Sequence, residues 1–203
     1  MNAIILAAGR GSRMGDLTSD LPKCRSVLHG KELIQWQMDA IAAADIQTLG
    51  IVRGYLAHTF NFEVKYFENS RWQNTNMVSS MLTADSWLCK SNCIISYSDI
   101  VYSSQVVSSL KKSHGDIVIS YDPNWLELWS RRFKNPLKDA ESFKCEGNRL
   151  LDIGRKVKTI GEIDGQYMGL LKISPVGWKI IKNYLSSLNI EQVDMMDMTT
   201  LLR

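Results

Sequence analysis

The chain has 203 residues, 45% of them hydrophobic, enough to bury the core of a single domain. Its 24 basic and 21 acidic side chains leave a net charge of +3 with no sustained run of Lys and Arg. That balance excludes the footprint of a nucleic-acid-binding protein and points to small ligands. No apolar stretch approaches the ~20 residues needed to cross a membrane, and Met1 leads into a strand pattern without a charged leader. A cytoplasmic location without membrane contact is therefore expected. The four cysteines, Cys24, Cys89, Cys93 and Cys145, lack zinc-ligand spacing and read as reduced thiols.

The first element is a strand over Asn2–Ala7 that breaks into Gly9-Arg10-Gly11-Ser12-Arg13. Glycines there let the backbone close and turn its N–H groups toward one point, while Arg10, Arg13 and Lys23 add positive charge. A plain turn between strand and helix also uses Gly-x-Gly. Three gathered cations would repel unless an anion neutralised them, so the run Leu6, Ala7, Ala8, Gly9, Gly11, Ser12 is assigned to a nucleoside triphosphate. A dinucleotide fingerprint is excluded because Met14 stands where its third glycine belongs, and no Gly-Lys-Ser/Thr closes a Walker loop.

Further along, helical spacing at Leu33–Ala44, Met77–Trp87 and Val106–Lys112 alternates with short β-rich runs at Leu49–Val52, Val64–Phe67, Cys93–Ser96 and Ile117–Ile119. Residues 121–148 lose any clear period and read as an irregular excursion over the mouth of the site. A strand at Tyr167–Ile173 and a helix at Pro175–Leu188 follow. This alternation predicts a single α/β domain: a Rossmann-like, mostly parallel sheet with helices on both faces. Residues 1–100 would form a nucleotide-binding half and 101–203 an acceptor-binding half. Such sheets bind ligands beyond the carboxyl ends of their strands, where the glycine loop, Arg53-Gly54-Tyr55 and Ser98-Asp99 would all emerge.

Asp99 could hold Mg²⁺, which takes hard oxygen ligands, or cap the next helix. Arg53 and Gly54 end a strand, where glycine permits close approach to a nucleotide or simply makes a turn. Thr75 or Asn74 can cap the helix that follows, yet Asn74, Asn76 and Ser79 provide more amides and hydroxyls than one cap needs, and such groups can bond a base edge and a ribose. Trp125, Trp129, Arg131 and Arg132 form an aromatic and cationic cluster suited to an acceptor carrying a quaternary ammonium or a phosphonate; packing of the excursion against the core is the alternative. His29, His58 and His114 have no partner at catalytic spacing.

The string Gly9, Gly11, Ser12, Arg13, Leu17, Thr18, Pro22, Lys23 resembles the G-x-G-S/T-R-x-x-x-L-T-x-x-x-P-K signature of the sugar-nucleotidyltransferase superfamily. Asn74 to Ser80 is similar to the N-N/T-N-x-x-S-L segment of its phosphocholine cytidylyltransferase branch, with Ser80 in place of Leu. The resemblance implies the nucleotide-diphospho-sugar transferase fold, CTP as donor, Mg²⁺ as cofactor and a small phosphorylated or phosphonylated acceptor. It implies Arg13, Lys23 and Asp99 as catalytic, Asp99 as a metal ligand, and Gln166 or Tyr167 as acceptor contacts. A second metal-binding Asp usual near the family's C-terminus has no clear counterpart; Asp197, or Asp194, is the candidate, and Met195, Met196 and Met198 read as one face of a helix running on past Arg203. Truncation is the favoured expectation. Lys156 and Lys158 lie near where the family carries a phosphate-contacting lysine. A hexose-1-phosphate thymidylyl- or uridylyltransferase and a nucleotide-binding regulator are the competing readings, and the oligomeric state is open.

Overall fold

The computed structural model describes residues 1–203, except the side chains of Arg13 and Leu17. The chain begins with β1 (Asn2–Ala7), β2 (Val27–Leu28), β3 (Lys31–Glu32), α1 (Leu33–Ala43), β4 (Thr48–Arg53) and β5 (Lys65–Glu68). It continues through α2 (Met77–Leu82), α3 (Asp85–Leu88), β6 (Cys93–Tyr97), α4 (Ser104–Lys112) and β7 (Ile117–Asp122). The last third holds α5 (Trp125–Arg132), β8 (Glu141–Glu146), β9 (Arg149–Lys156), β10 (Gln166–Ile173), α6 (Pro175–Ser186), α7 (Ile190–Met195) and α8 (Met198–Leu202).

Six strands form the main sheet in the order β5-β4-β1-β6-β10-β7. β1 is paired in parallel on both sides, with β4 and with β6. β10 runs antiparallel to both β6 and β7, against the direction of the other strands of this sheet. β1 has almost no polar residue because a strand covered on both faces must bury both sets of alternating side chains. Ile4, Leu6 and Ala8 join Val78, Met81, Leu88 and Trp178 on one face; Ala3, Ile5 and Ala7 join Ile34, Ile41, Val107 and Leu110 on the other. This is the mostly parallel α/β sheet that the strand and helix alternation anticipates. No helix among the described residues is long and apolar enough to cross a membrane.

Four expectations about elements need correction. The helix expected over Met77–Trp87 breaks at Thr83–Ala84 into α2 and α3. Its cap is Asn76, whose side chain accepts from the Met77 amide at 2.8 Å, and neither Asn74 nor Thr75 does so. The excursion over 121–148 is ordered: α5 and the β8–β9 hairpin close a third apolar cluster of Trp125, Ala140, Phe143, Ile153 and Ile163. The three methionines do not share one helix: Met195 ends α7, Met198 begins α8, and Met196 lies between them. Asp197 ends the first path by capping α8, accepting from Thr200 N at 2.8 Å, so Met195 is exposed while Met196 and Met198 are buried.

Buried or semi-buried polar groups tie helices to the sheet. Lys172 of β10, 5% exposed, donates to the carbonyl of Ser113 just past α4, placing a cation at the negative end of that helix. Lys111 does the same for α1 through the Ala44 carbonyl at 3.0 Å. Asp85 opens α3 and accepts from Trp178 Nε1 at 2.7 Å and Lys182 Nζ at 2.8 Å, both on α6. The hydrogen bonds from Lys182 and then Trp178 hold its carboxyl below the usual carboxylate range. A depressed folded value stabilises the fold above the unfolded pKa of ~3.9 and loses that contribution as pH falls through the folded value. Asp85→Asn should therefore lower the melting temperature at pH 7, and the gap to wild type should shrink below about pH 4; a gap independent of pH would separate Asp85 from the acid limb of stability.

Candidate active site

The carboxyl ends of β1 and β6 open into a cleft of about 300 Å³ whose lining includes Leu6, Ala8, Gly9, Gly11, Lys23, Ser98 and Asp99. The far wall is Trp72, Thr75, Asn76, Met77, Ser80 and Tyr97. Adjacent parallel strands deliver the glycine loop and Asp99 to the same side, as the sheet requires. Lys23 Nζ lies 2.5 Å from Asp99 Oδ2, with both side chains about one-third exposed. Gly11 makes that reach feasible: it sits in the left-handed region at φ 72°, and a Cβ there would come within 3.0 Å of Lys23 Cβ. The side chain of Arg13 lies outside the described residues.

Asp99 sits on a turn braced from below. Gln37, fully buried on α1, donates to the carbonyls of Tyr97 at 3.0 Å and Ile100 at 2.6 Å, while its own amide oxygen accepts from Ser96 Oγ at 3.2 Å. A buried amide with both ends engaged fixes a backbone more firmly than apolar packing can, because leaving either end unpaired is costly. Tyr97 beside it packs edge to face on Tyr167 with centroids 5.8 Å apart. Gly169, at φ 73° in a bulge of β10, makes room for it; a Cβ there would lie 2.7 Å from the Tyr97 ring. Burial, then the neighbouring Tyr167, pushes the Tyr97 hydroxyl well above its ordinary range, so it acts as a neutral hydroxyl. Burial also pushes the Cys24 thiol up to about 12, leaving it protonated beside Lys23.

The wall from Asn69 to Ser80 is held at both ends. Asn69 Nδ2 donates to Thr75 Oγ1 at 2.9 Å and Ser80 Oγ at 3.0 Å, and its own amide donates to the Arg53 carbonyl at 2.9 Å. From the other side, α7 clasps the start of α2. Asp194 pairs with Arg71, accepts from Ser79 Oγ at 3.0 Å, and its carbonyl takes the Asn76 amide at 2.6 Å.

Several residues chosen from the sequence fall elsewhere. Ala7 points to the opposite face of the sheet, since strand side chains alternate, and Ser12 is exposed outside the cleft. Arg53 turns to the sheet edge, pairing with Glu68 at 2.6 Å and stacking on Tyr66 at 4.1 Å. Gly54 has Trp72 against it, so its smallness admits the tryptophan that lines the cleft. Asn74 is exposed, and Ser79 is turned toward α7. None of the six residues considered as acceptor contacts is among the cleft-lining residues. Trp125 is buried in the third cluster, Trp129 packs beside it, and Arg131 is exposed and paired with Glu127 at 2.6 Å. Gln166 is buried, donating to the Glu141 carbonyl at 2.7 Å. Tyr167 is one layer behind the cleft through Tyr97. Among the described residues no three His, Cys, Asp or Glu side chains gather as a metal cluster. Trp72, Tyr97 and Gln37 were not singled out from the sequence; only their tertiary neighbours give them a role.

The MobA-like NTP transferase domain family matches residues 3–156. A CTP:phosphoglutamine cytidylyltransferase of Campylobacter jejuni is 40% identical over 185 residues, covering 86% of this chain and 73% of its own. A 2-aminoethylphosphonate cytidylyltransferase of Lancefieldella rimae is 33% identical over 110 residues, 51% of this chain, and this chain spans 45% of its length. The solved inositol-1-phosphate CTP transferase of T. maritima superposes with a TM-score of 0.73 at 17% identity, covering 99% of this chain and 79% of its own, a likeness of fold.

Asp194 has both carboxylate oxygens hydrogen-bonded within the protein, to Arg71 and to Ser79, and so braces the cleft wall. Asp194→Ala should therefore raise the nucleotide KM several-fold while leaving the Mg²⁺ concentration for half-maximal activity unchanged. A shift in the metal titration would return Asp194 to the metal.

Proposed function

This chain belongs to the MobA-like NTP transferase family, and from that premise we propose that it transfers CMP from CTP to a small acceptor bearing a phosphate or phosphonate, with release of pyrophosphate. The observation that carries the reading is the convergence of the glycine loop, Lys23 and Asp99 on one cleft. The likeness to the phosphoglutamine and aminoethylphosphonate enzymes supports CTP as donor and an acceptor that joins a phosphorus oxyanion to a nitrogen-bearing group.

The chemistry is in-line displacement: an acceptor oxygen attacks the α-phosphorus opposite the departing pyrophosphate, and catalysis is mostly alignment and charge neutralisation. Backbone amides of the loop after β1 would hold the triphosphate, with Arg13 assigned to the same phosphates. Lys23 is compensated by Asp99 until a phosphate competes for it; it would then stabilise charge growing on the α-phosphoryl oxygens. Trp72 and Asn76 are the wall residues suited to the cytosine and ribose, one by stacking and one by hydrogen bonding.

Asp99 fits a Mg²⁺ ion, because this ion is usually held by one or two carboxylates plus substrate phosphates and water, and Asp99 is a partly exposed carboxylate lining the cleft beside the glycine loop. When bound, the ion would neutralise phosphate charge and polarise the reacting phosphorus. Asp197 is the second candidate ligand. Its Oδ1 caps α8, its charge and that of Asp99 both act on Tyr97, and Oδ2 is the oxygen left to offer.

Pyrophosphate release measured across nucleoside triphosphates and small phospho-acceptors tests the reading directly. CTP with aminoethylphosphonate, phosphocholine or a phosphorylated amide should release pyrophosphate only when both substrates are present. Binding of CTP without release for any acceptor would mark a nucleotide-binding regulator instead. Lys23→Ala should cut kcat about 10²-fold or more with a smaller change in CTP affinity, the scale of losing one electrostatic stabiliser. Asp99→Asn should keep the fold and raise the Mg²⁺ requirement; near-normal kinetics in either variant would remove that residue from the mechanism.

A further inference from the structure

The loop that follows β1 is held by hydrogen bonds within itself and by bonds from outside it. Residues Ser12–Thr18 form 3₁₀ turns interrupted at Gly15, and Thr18 Oγ1 ties the loop to itself through the Gly15 carbonyl at 3.2 Å. Among the described contacts, one residue just past β4 reaches both ends of this loop. The backbone amide of Tyr55 donates to the Ala8 carbonyl at 2.9 Å, at the start of the loop. The hydroxyl of the same residue lies 2.8 Å from the Thr18 carbonyl and 2.7 Å from that of Ser19, at the loop's far end. The one hydroxyl proton is shared between the two carbonyls.

The ring of Tyr55 does two further things. It packs edge to face on Trp72, centroids 5.1 Å apart, and Trp72 lines the cleft. The Arg10 guanidinium lies 5.7 Å over its face. A Cβ on Gly54 would come within 2.7 Å of Trp72, so the preceding glycine lets this contact form. One side chain thus braces both ends of the glycine loop and touches the opposite wall.

We propose that Tyr55 is a positioning residue: through its amide and hydroxyl it fixes the spacing of the two ends of the 8–19 loop, and so aims the loop amides at the triphosphate. The inference rests on the reading of the cleft as a nucleotide site. It does not need Tyr55 to touch substrate. The hydroxyl is the testable part, since replacing it leaves the ring, Trp72 and the fold in place.

In Tyr55→Phe, amide hydrogen exchange over residues 9–19 should quicken at least fivefold while β1 and β4 exchange as before, and the nucleotide KM should rise about fivefold to tenfold with the acceptor KM unchanged, the size of one lost hydrogen bond. Tyr55→Leu should in addition quicken exchange over residues 69–76, because it removes the support of Trp72. Loop exchange unchanged in Tyr55→Phe overturns the proposal, as does faster exchange throughout the sheet with a lowered melting temperature, which is the signature of a merely structural residue. Faster loop exchange with an unchanged nucleotide KM also overturns it. Should the wild-type protein neither bind CTP nor release pyrophosphate, the functional reading fails on its own, and the exchange of residues 9–19 still decides whether Tyr55 holds the loop.

Discussion

Everything at the cleft depends on β1 having both of its edges taken. With β4 on one side and β6 on the other, the strand cannot slide by one residue without turning Ile4 and Leu6 out of one core and Ala3 and Ile5 out of the other. The register is therefore fixed by two apolar layers at once, and Ala8, where the chain leaves the sheet, emerges at a defined point. Asp99 emerges from the neighbouring strand on the same side. Their juxtaposition is a consequence of parallel pairing, and the Lys23–Asp99 contact follows once Lys23 folds back across Gly11.

A sheet can fix where a loop starts but has little hold on the loop itself. The chain supplies that with polar groups inserted from neighbouring elements. Gln37 grips the turn carrying Asp99, Tyr55 grips the loop after β1, and Asn69 with Asp194 grips the wall at the head of α2. Each bonds backbone carbonyls, amides or hydroxyls of the segment it holds. Such bonds are strongly directional and costly to leave unmade. The cleft therefore combines a framework made rigid by apolar burial with loops aimed by a few hydrogen bonds.

The segment after β7 shows how composition can mislead. Trp125, Trp129, Arg131 and Arg132 look like a cage for a cationic or anionic acceptor when read in line. In the fold, the two tryptophans lie on one side of α5, facing the β8–β9 hairpin, and Arg131 faces solvent from the other. Once the segment is a helix, the four-residue spacing of Trp125 and Trp129 puts them on a common face. The spacing decides that they share a face; the hairpin decides that the face is covered.

The sequence alone determined the class of sheet, the order of its main strands and helices, and the glycine loop with Lys23 and Asp99, because these are written in local periodicity, in glycine placement and in residues that directly follow strands. Only the tertiary structure decided which polar residues face the cleft. Asn76 lines it while Ser79 turns to α7, one turn further along the same helix; Arg53 leaves it for Glu68; Trp72 enters it because Gly54 leaves space. Those choices depend on partners more than ten residues away, 115 in the case of Ser79 and Asp194. A side chain's direction is set by the neighbour that satisfies it, and local sequence carries no record of that neighbour.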